Sequence, residues 1–119
     1  MLIEDDSTTV EAIQLCLEIH RPHATVVSTA KGLEGIRLLS REAPDAVILD
    51  LRLKDIDGME VLREIRQSSD VPIMIMSARG EPEALAKGKE LGADDYIIKP
   101  FDYKDFLARL DNILRHHQP

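Results

Sequence analysis

The sequence has no tryptophan and only two tyrosines and two phenylalanines, few rings to stack on a flavin. A single cysteine, Cys16, cannot close an internal disulfide. Its neighbours Leu15 and Leu17 suggest a buried thiol, and with nothing resembling a signal peptide the expected compartment is a reducing cytoplasm. No apolar run approaches transmembrane length, so no membrane partner is expected. Basic residues are outnumbered, 15 against 22 acids, for a net charge of -7. Gripping a phosphate backbone demands a basic stripe rather than an acidic average, which excludes direct nucleic-acid binding by this domain. No glycine-rich phosphate cradle appears, so nucleotide binding has no support. Internal repeats and low-complexity segments are also lacking.

What is present is enough chain, 119 residues, for one domain with its own core. We expect a single domain over 1–119, with residues from about 115 onward, including Arg115 to His117, as the start of a linker. Short β-rich runs alternate with longer segments of helical period, the pattern of successive βα units around a parallel sheet. The strands read as Met1 to Ile3, Ala24 to Ser28, Ala46 to Leu49, Val71 to Met76 and Tyr96 to Ile98. The third and fourth are continuously apolar, as in central strands covered on both faces.

The first helix is expected to start at Ser7 as N-cap, to bury Val10, Ile13, Cys16 and Leu17, and to close at Pro22. A second carries Leu33, Ile36 and Leu39 and stops before Pro44. A third, from about Met59, carries Val61, Leu62 and Ile65. The fourth runs from Pro82 to a stop at Gly92. It is short of large apolar residues, with Leu85, Ala86 and Leu91 as candidates, so it should be the least firmly packed and the readiest to shift. The fifth has a clear stripe of Phe106, Leu107, Leu110, Ile113 and Leu114. Cys16, Met59, Met74 and Met76 read as core, and His20, His23, His116 and His117 as solvated.

The chemistry lies at the strand ends, the rim where open α/β sheets bind ligands. Glu4 and Asp5 follow the first strand, Asp50 the third, Ser77 the fourth and Lys99 the fifth. Each pair among the three acids would repel by ~4 kcal/mol at ~4 Å if the effective dielectric is about 20. Such a cluster needs a cation. A hard divalent ion held by few carboxylates suits it, which points to Mg²⁺ with a phosphate ligand. Lys99 adds a mobile positive charge and Ser77 a donor.

Taken in order, Glu4-Asp5, Asp50, Ser77-Ala78, Tyr96 and Lys99-Pro100-Phe101 closely resemble the receiver domain of bacterial two-component response regulators, over essentially the whole chain. The resemblance implies a flavodoxin-like sheet of order 2-1-3-4-5. It implies that Asp50 accepts a phosphoryl group from a sensor histidine kinase, with Asp5 as direct Mg²⁺ ligand, Glu4 holding a metal-bound water, and Asp50 and the backbone carbonyl of Arg52 as further ligands. Lys99, the Ser77 hydroxyl and the Ala78 N–H would bind phosphoryl oxygens, Tyr96 would act with Ser77 as a rotamer switch, and the Lys99-Pro100 bond would be cis. Arg52 and Arg79 would flank the path of the hydrolytic water. The segment from Gly92-Ala93-Asp94-Asp95-Tyr96 to Leu114 looks most like receivers that precede winged-helix DNA-binding domains. These dimerise through the fourth helix, fifth strand and fifth helix, a face that here carries Lys87, Asp95, Asp105 and Arg109, with Leu85 where a basic partner is common. DNA would then be reached only through an output domain. Two departures stand out: only three residues precede the acidic pair, and Lys54 stands where a proline commonly stiffens the loop after the phosphoacceptor.

Plainer readings compete. Acids at Glu4, Asp5 and Asp6 favour the positive end of a helix, which accounts for Asp6 alone. Asp50 and Ser77 taken singly could be turn residues, Lys99 a solvated lysine, and Tyr96 a strand aromatic in the core. The calcium-loop pattern of Asp55, Asp57, Gly58 and Glu64 fails because Leu53 holds the first ligand position and a strand precedes it. Of two rival functions, a Mg²⁺-dependent phosphatase with Asp50 as nucleophile usually carries an acid two residues on, where Arg52 stands. A flavodoxin-like electron carrier lacks the aromatics.

Overall fold

In the computed structural model, residues 1–78 and 80–117 are described. Strands and helices alternate along the chain: β1 (Leu2–Ile3), α1 (Ser7–His20), β2 (Ser28–Thr29), α2 (Gly32–Glu42), β3 (Val47–Asp50), α3 (Gly58–Arg66), β4 (Ile73–Ser77), α4 (Pro82–Glu90), β5 (Asp95–Ile98) and α5 (Tyr103–His117). All strand pairs are parallel, in the order β2-β1-β3-β4-β5. The expected architecture is the observed one.

The alternation of side chains along the strands builds a separate core on each face of the sheet. On β4, Met74 and Met76 join Leu2, Ile48, Ile13, Cys16, Phe106 and Leu110, so that face is closed by α1 and α5. Ile73 and Ile75 point the other way, into Ile3, Leu49, Val61, Leu62 and Ile65 beneath α2 and α3. Both central strands are fully buried, which explains their unbroken apolar runs. The register then aligns the strand ends. Ile3 pairs with Leu49, so Glu4 and Asp50 follow side by side, while Ser77 lies level with Ile98.

Several local expectations need correction. β2 is not Ala24 to Ser28 but Ser28–Thr29, because β1 offers it only Leu2 and Ile3 as partners. The N-cap of α1 is Asp6, not Ser7. Asp6 is extended, at φ -86° and ψ 110°. Its carbonyl accepts the first helical bond, from Val10 N at 3.0 Å, and its carboxylate takes the Thr9 hydroxyl at 2.6 Å. Leu15 and Leu33 are exposed, at 57% and 58%, so of the two chain neighbours of Cys16 only Leu17 shares its burial. Met59 is only partly buried. In α4 the buried residues are Ala84 and Gly88, with Leu85 half-buried and Ala86 exposed. The helix lies so close that a Cβ on Gly88 would meet Ile75 Cδ1 at 2.8 Å. It is seated by small residues.

Candidate functional site

Glu4, Asp5 and Asp50 converge, with one carboxylate oxygen from each within 4.8 Å of the others. Glu4 and Asp50 are only 1% and 4% exposed. Both are lifted into the rim by the apolar strands that precede them, and water cannot screen them well. Lys99, after β5, reaches across the sheet to place Nζ 2.6 Å from Glu4 Oε1 and 3.4 Å from Asp50 Oδ2. The other Asp50 oxygen, Oδ1, accepts from the backbone N–H of Arg52 at 3.3 Å, and Glu4 Oε2 accepts from Asp6 N at 3.2 Å.

One cation does not neutralise three acids. Burial, followed by the contact with Asp50, pushes the Glu4 carboxyl up to about 7 in spite of Lys99. Burial alone would lower the Lys99 ammonium, but its bond to Glu4 and the charge of Asp50 outweigh that and hold it above its usual range. Three carboxylates against one lysine leave an excess of negative charge made wholly of hard oxygen donors. That donor set fits a hard divalent cation.

Ser77 is fully buried at the end of β4, and its carbonyl accepts from Lys99 N at 2.8 Å. Ala78, exposed, is the next residue on the rim. Tyr96 is half-buried, with its ring edge 3.5 Å from the point where a Cβ on Gly88 would sit. The Lys99-Pro100 bond is cis, as expected. Arg52 is exposed, and Arg79 lies outside the described residues. Asp95, Asp105 and Arg109 form one cluster within the chain: Arg109 lies 2.7 Å from Asp95 and 3.0 Å from Asp105. Lys87 is exposed on α4. A cleft of about 650 Å³ opens at the opposite end of the sheet, between Met1, Val26, Ala46 and Leu114, and none of the rim residues lines it.

Two features escape sequence reading. Asp55 binds the first amides of α2, with Gly32 N at 3.0 Å and Leu33 N at 3.1 Å. The available signal was that Lys31, before α2, offers no capping side chain. Arg66 is the other, binding the carbonyls of Gly92 at 2.9 Å and Val71 at 2.7 Å and the Asp94 carboxylate at 3.0 Å. It ties α3 to the turn at Gly92, whose φ of +102° requires glycine.

Over residues 1–111 the chain matches the response regulator receiver domain family. It is 39% identical over 115 residues to the transcriptional regulatory protein AfsQ1 of Streptomyces coelicolor, covering 97% of this chain and 50% of that protein. Against the response regulator ArlR of Staphylococcus epidermidis the identity is 37%, with 97% and 52% covered. The chain thus spans about half the length of the curated relatives it matches. Among solved structures, the BeF3-activated N-terminal receiver domain of Klebsiella pneumoniae RstA superposes with a TM-score of 0.89 at 32% identity, covering 96% of each chain.

Proposed function

The chain belongs to the response regulator receiver family, and we propose that it is a phosphorylation-controlled switch whose phosphoacceptor is Asp50. The observation that carries this reading is the contact of Lys99 with both Glu4 and Asp50 at 2.6 and 3.4 Å. It gathers residues from three strand ends around one carboxylate.

The Asp50 carboxylate attacks the phosphorus of a phosphohistidine on a sensor kinase, forming a P–O bond as the P–N bond breaks. Little covalent chemistry is asked of the protein, whose work is positioning and charge stabilisation. Asp5, Asp50 and the backbone carbonyl of Arg52 would hold Mg²⁺, with Glu4 holding a water on it, and the ion would supply neutralising charge at the transferring group. Lys99 neutralises a further phosphoryl oxygen, and the Ser77 hydroxyl and Ala78 N–H bind others. The rival phosphatase reading lacks its acid, since Arg52 stands there.

The new charge of about -1.5 to -2 draws Ser77 and Lys99 toward Asp50, and Tyr96 follows Ser77. Because the buried residues of α4 are only the small Ala84 and Gly88, it shifts at modest cost, reshaping the face of α4, β5 and α5. That face carries the signal to a second copy or to an output domain, and control of transcription follows from the kind of regulator the relatives are. The test is binding of beryllofluoride, a phosphoryl mimic, followed by fluorine NMR. Bound signal should require Mg²⁺ and vanish in Asp50→Asn; signal that persists in that variant would overturn the assignment.

A further inference from the structure

The loop between β3 and α3 closes on itself through Gly58 N to the Leu51 carbonyl at 2.9 Å and a bridge between Arg52 and Asp57. These bonds are local. They shape the loop without fixing it to the rest of the molecule, and exposed Lys54 sits in its middle.

Leu51 is buried in the core at the start of the loop, and Asp55 supplies a polar anchor farther along it. Its Oδ1 accepts from Gly32 N at 3.0 Å and its Oδ2 from Leu33 N at 3.1 Å, so one carboxylate spans two of the amides that an α-helix leaves without partners. No side chain of the N-cap, Lys31, competes for them. The bonds from Leu33 and then Gly32 hold the Asp55 carboxyl below its usual range, as expected of an anion on the positive end of a helix. A second, apolar contact lies alongside. A Cβ on Gly32 would stand 2.6 Å from both Ile56 Cγ2 and Val61 Cγ2 and 3.0 Å from Leu53 Cδ1. Ile and Val are stiff at χ1, so the loop sits this close to α2 only because residue 32 is glycine.

We propose that Asp55, seated against Gly32, is a positioning residue for Mg²⁺ binding: it braces the 51–57 loop on the first turn of α2 and so fixes the backbone carbonyl of Arg52 at the rim. This rests on the reading of Asp50 as a Mg²⁺-assisted phosphoacceptor. Asp55 touches neither metal nor phosphoryl group. It does the work that a proline at position 54 would otherwise do, and α2 becomes part of the metal site. By linkage, whatever Asp55 contributes to Mg²⁺ affinity, Mg²⁺ returns to the Asp55 contact.

The experiment is Mg²⁺ titration of the full chain by calorimetry. Asp55→Ala should weaken the Mg²⁺ dissociation constant by about tenfold, the low end for partners that orient a metal's ligands. Asp55→Asn, with one acceptor oxygen for two amides, should weaken it less, and it serves if the alanine variant fails to fold. Adding Lys54→Pro to Asp55→Ala should recover part of the affinity. Leu39→Ala, which removes a buried anchor of α2, should lower Tm and leave the dissociation constant unchanged. In the parent, Mg²⁺ should slow hydrogen exchange at the Gly32 and Leu33 amides. A parent that binds Mg²⁺ with both Asp55 variants equal to it would overturn the proposal, as would Leu39→Ala weakening Mg²⁺ to the same degree as Asp55→Ala. A parent that binds no Mg²⁺ would overturn the phosphoacceptor reading itself.

Discussion

Lys99 lies closer to Glu4, at 2.6 Å, than to Asp50, at 3.4 Å. The rim lysine is thus paired first with Glu4, and only second with the proposed phosphoacceptor. If Glu4, Asp5 and Asp50 hold Mg²⁺ as proposed, the arriving ion would compete with Lys99 for two of these carboxylates.

From that competition, Lys99→Met should bind Mg²⁺ more tightly than the parent while being phosphorylated more slowly. Even the ~1 kcal/mol of repulsion between unit charges ~4 Å apart at the dielectric of bulk water corresponds to roughly fivefold in affinity, so the gain should be at least that large. Calorimetry and a time course with acetyl phosphate read the two effects separately; weaker Mg²⁺ binding in the variant would contradict the competition.

The crowding at Glu4 carries a pH dependence. Its carboxyl rises from 4.5 to about 7 on folding, so between those values the folded state holds a proton that the unfolded state has lost. Stability of the metal-free protein therefore falls as pH rises through this window. Urea midpoints in chelator should be higher at about pH 5 than at about pH 8, and Glu4→Gln should flatten the difference. A midpoint that rises with pH in the parent and not in the variant would contradict the burial argument.

Arg109 already spans Asp95 and Asp105 within one chain, so a two-fold dimer through α4, β5 and α5 would form around contacts that each chain makes on its own. Surface pairs contribute little individually, and the apolar part of the face has to supply most of the affinity. Analytical ultracentrifugation should show stronger self-association with beryllofluoride than without, and loss of that gain in Arg109→Glu. A parent that stays monomeric in both states at high concentration would remove the dimer while leaving Asp50 untouched.

Arg52 presents an exposed side chain two residues beyond Asp50, and we propose that a long cation there screens the approach of hydrolytic water. Arg52→Ala should form the acyl phosphate normally and lose it severalfold faster. Decay of the phosphorylated form, followed by intact mass, checks this, and an unchanged lifetime would dismiss the role.

Most of this site could be read from the chain because the signals were local. A buried parallel strand is an unbroken apolar run, and the polar residue that ends it falls on the rim, which located Glu4, Asp50, Ser77 and Lys99. What could not be read depended on neighbours in space. β2 is short because β1 is short, a fact about pairing rather than about the composition of residues 24 to 28. The seat of α4 is Ala84 and Gly88, which carry almost no hydrophobic signal because their contribution is the absence of bulk. Asp55 caps a helix more than twenty residues away, and no local pattern links an acid in one loop to an uncapped helix elsewhere. Arg66 is the same case, since its partners Gly92 and Asp94 meet it only once the sheet has formed.

The most direct test of the account is the intact mass of the protein after incubation with acetyl phosphate, in Mg²⁺ and in chelator, for the parent and for Asp50→Asn. The parent should gain one phosphate, only with Mg²⁺, and the variant none. An equal gain in Asp50→Asn, or one that ignores chelation, would contradict it.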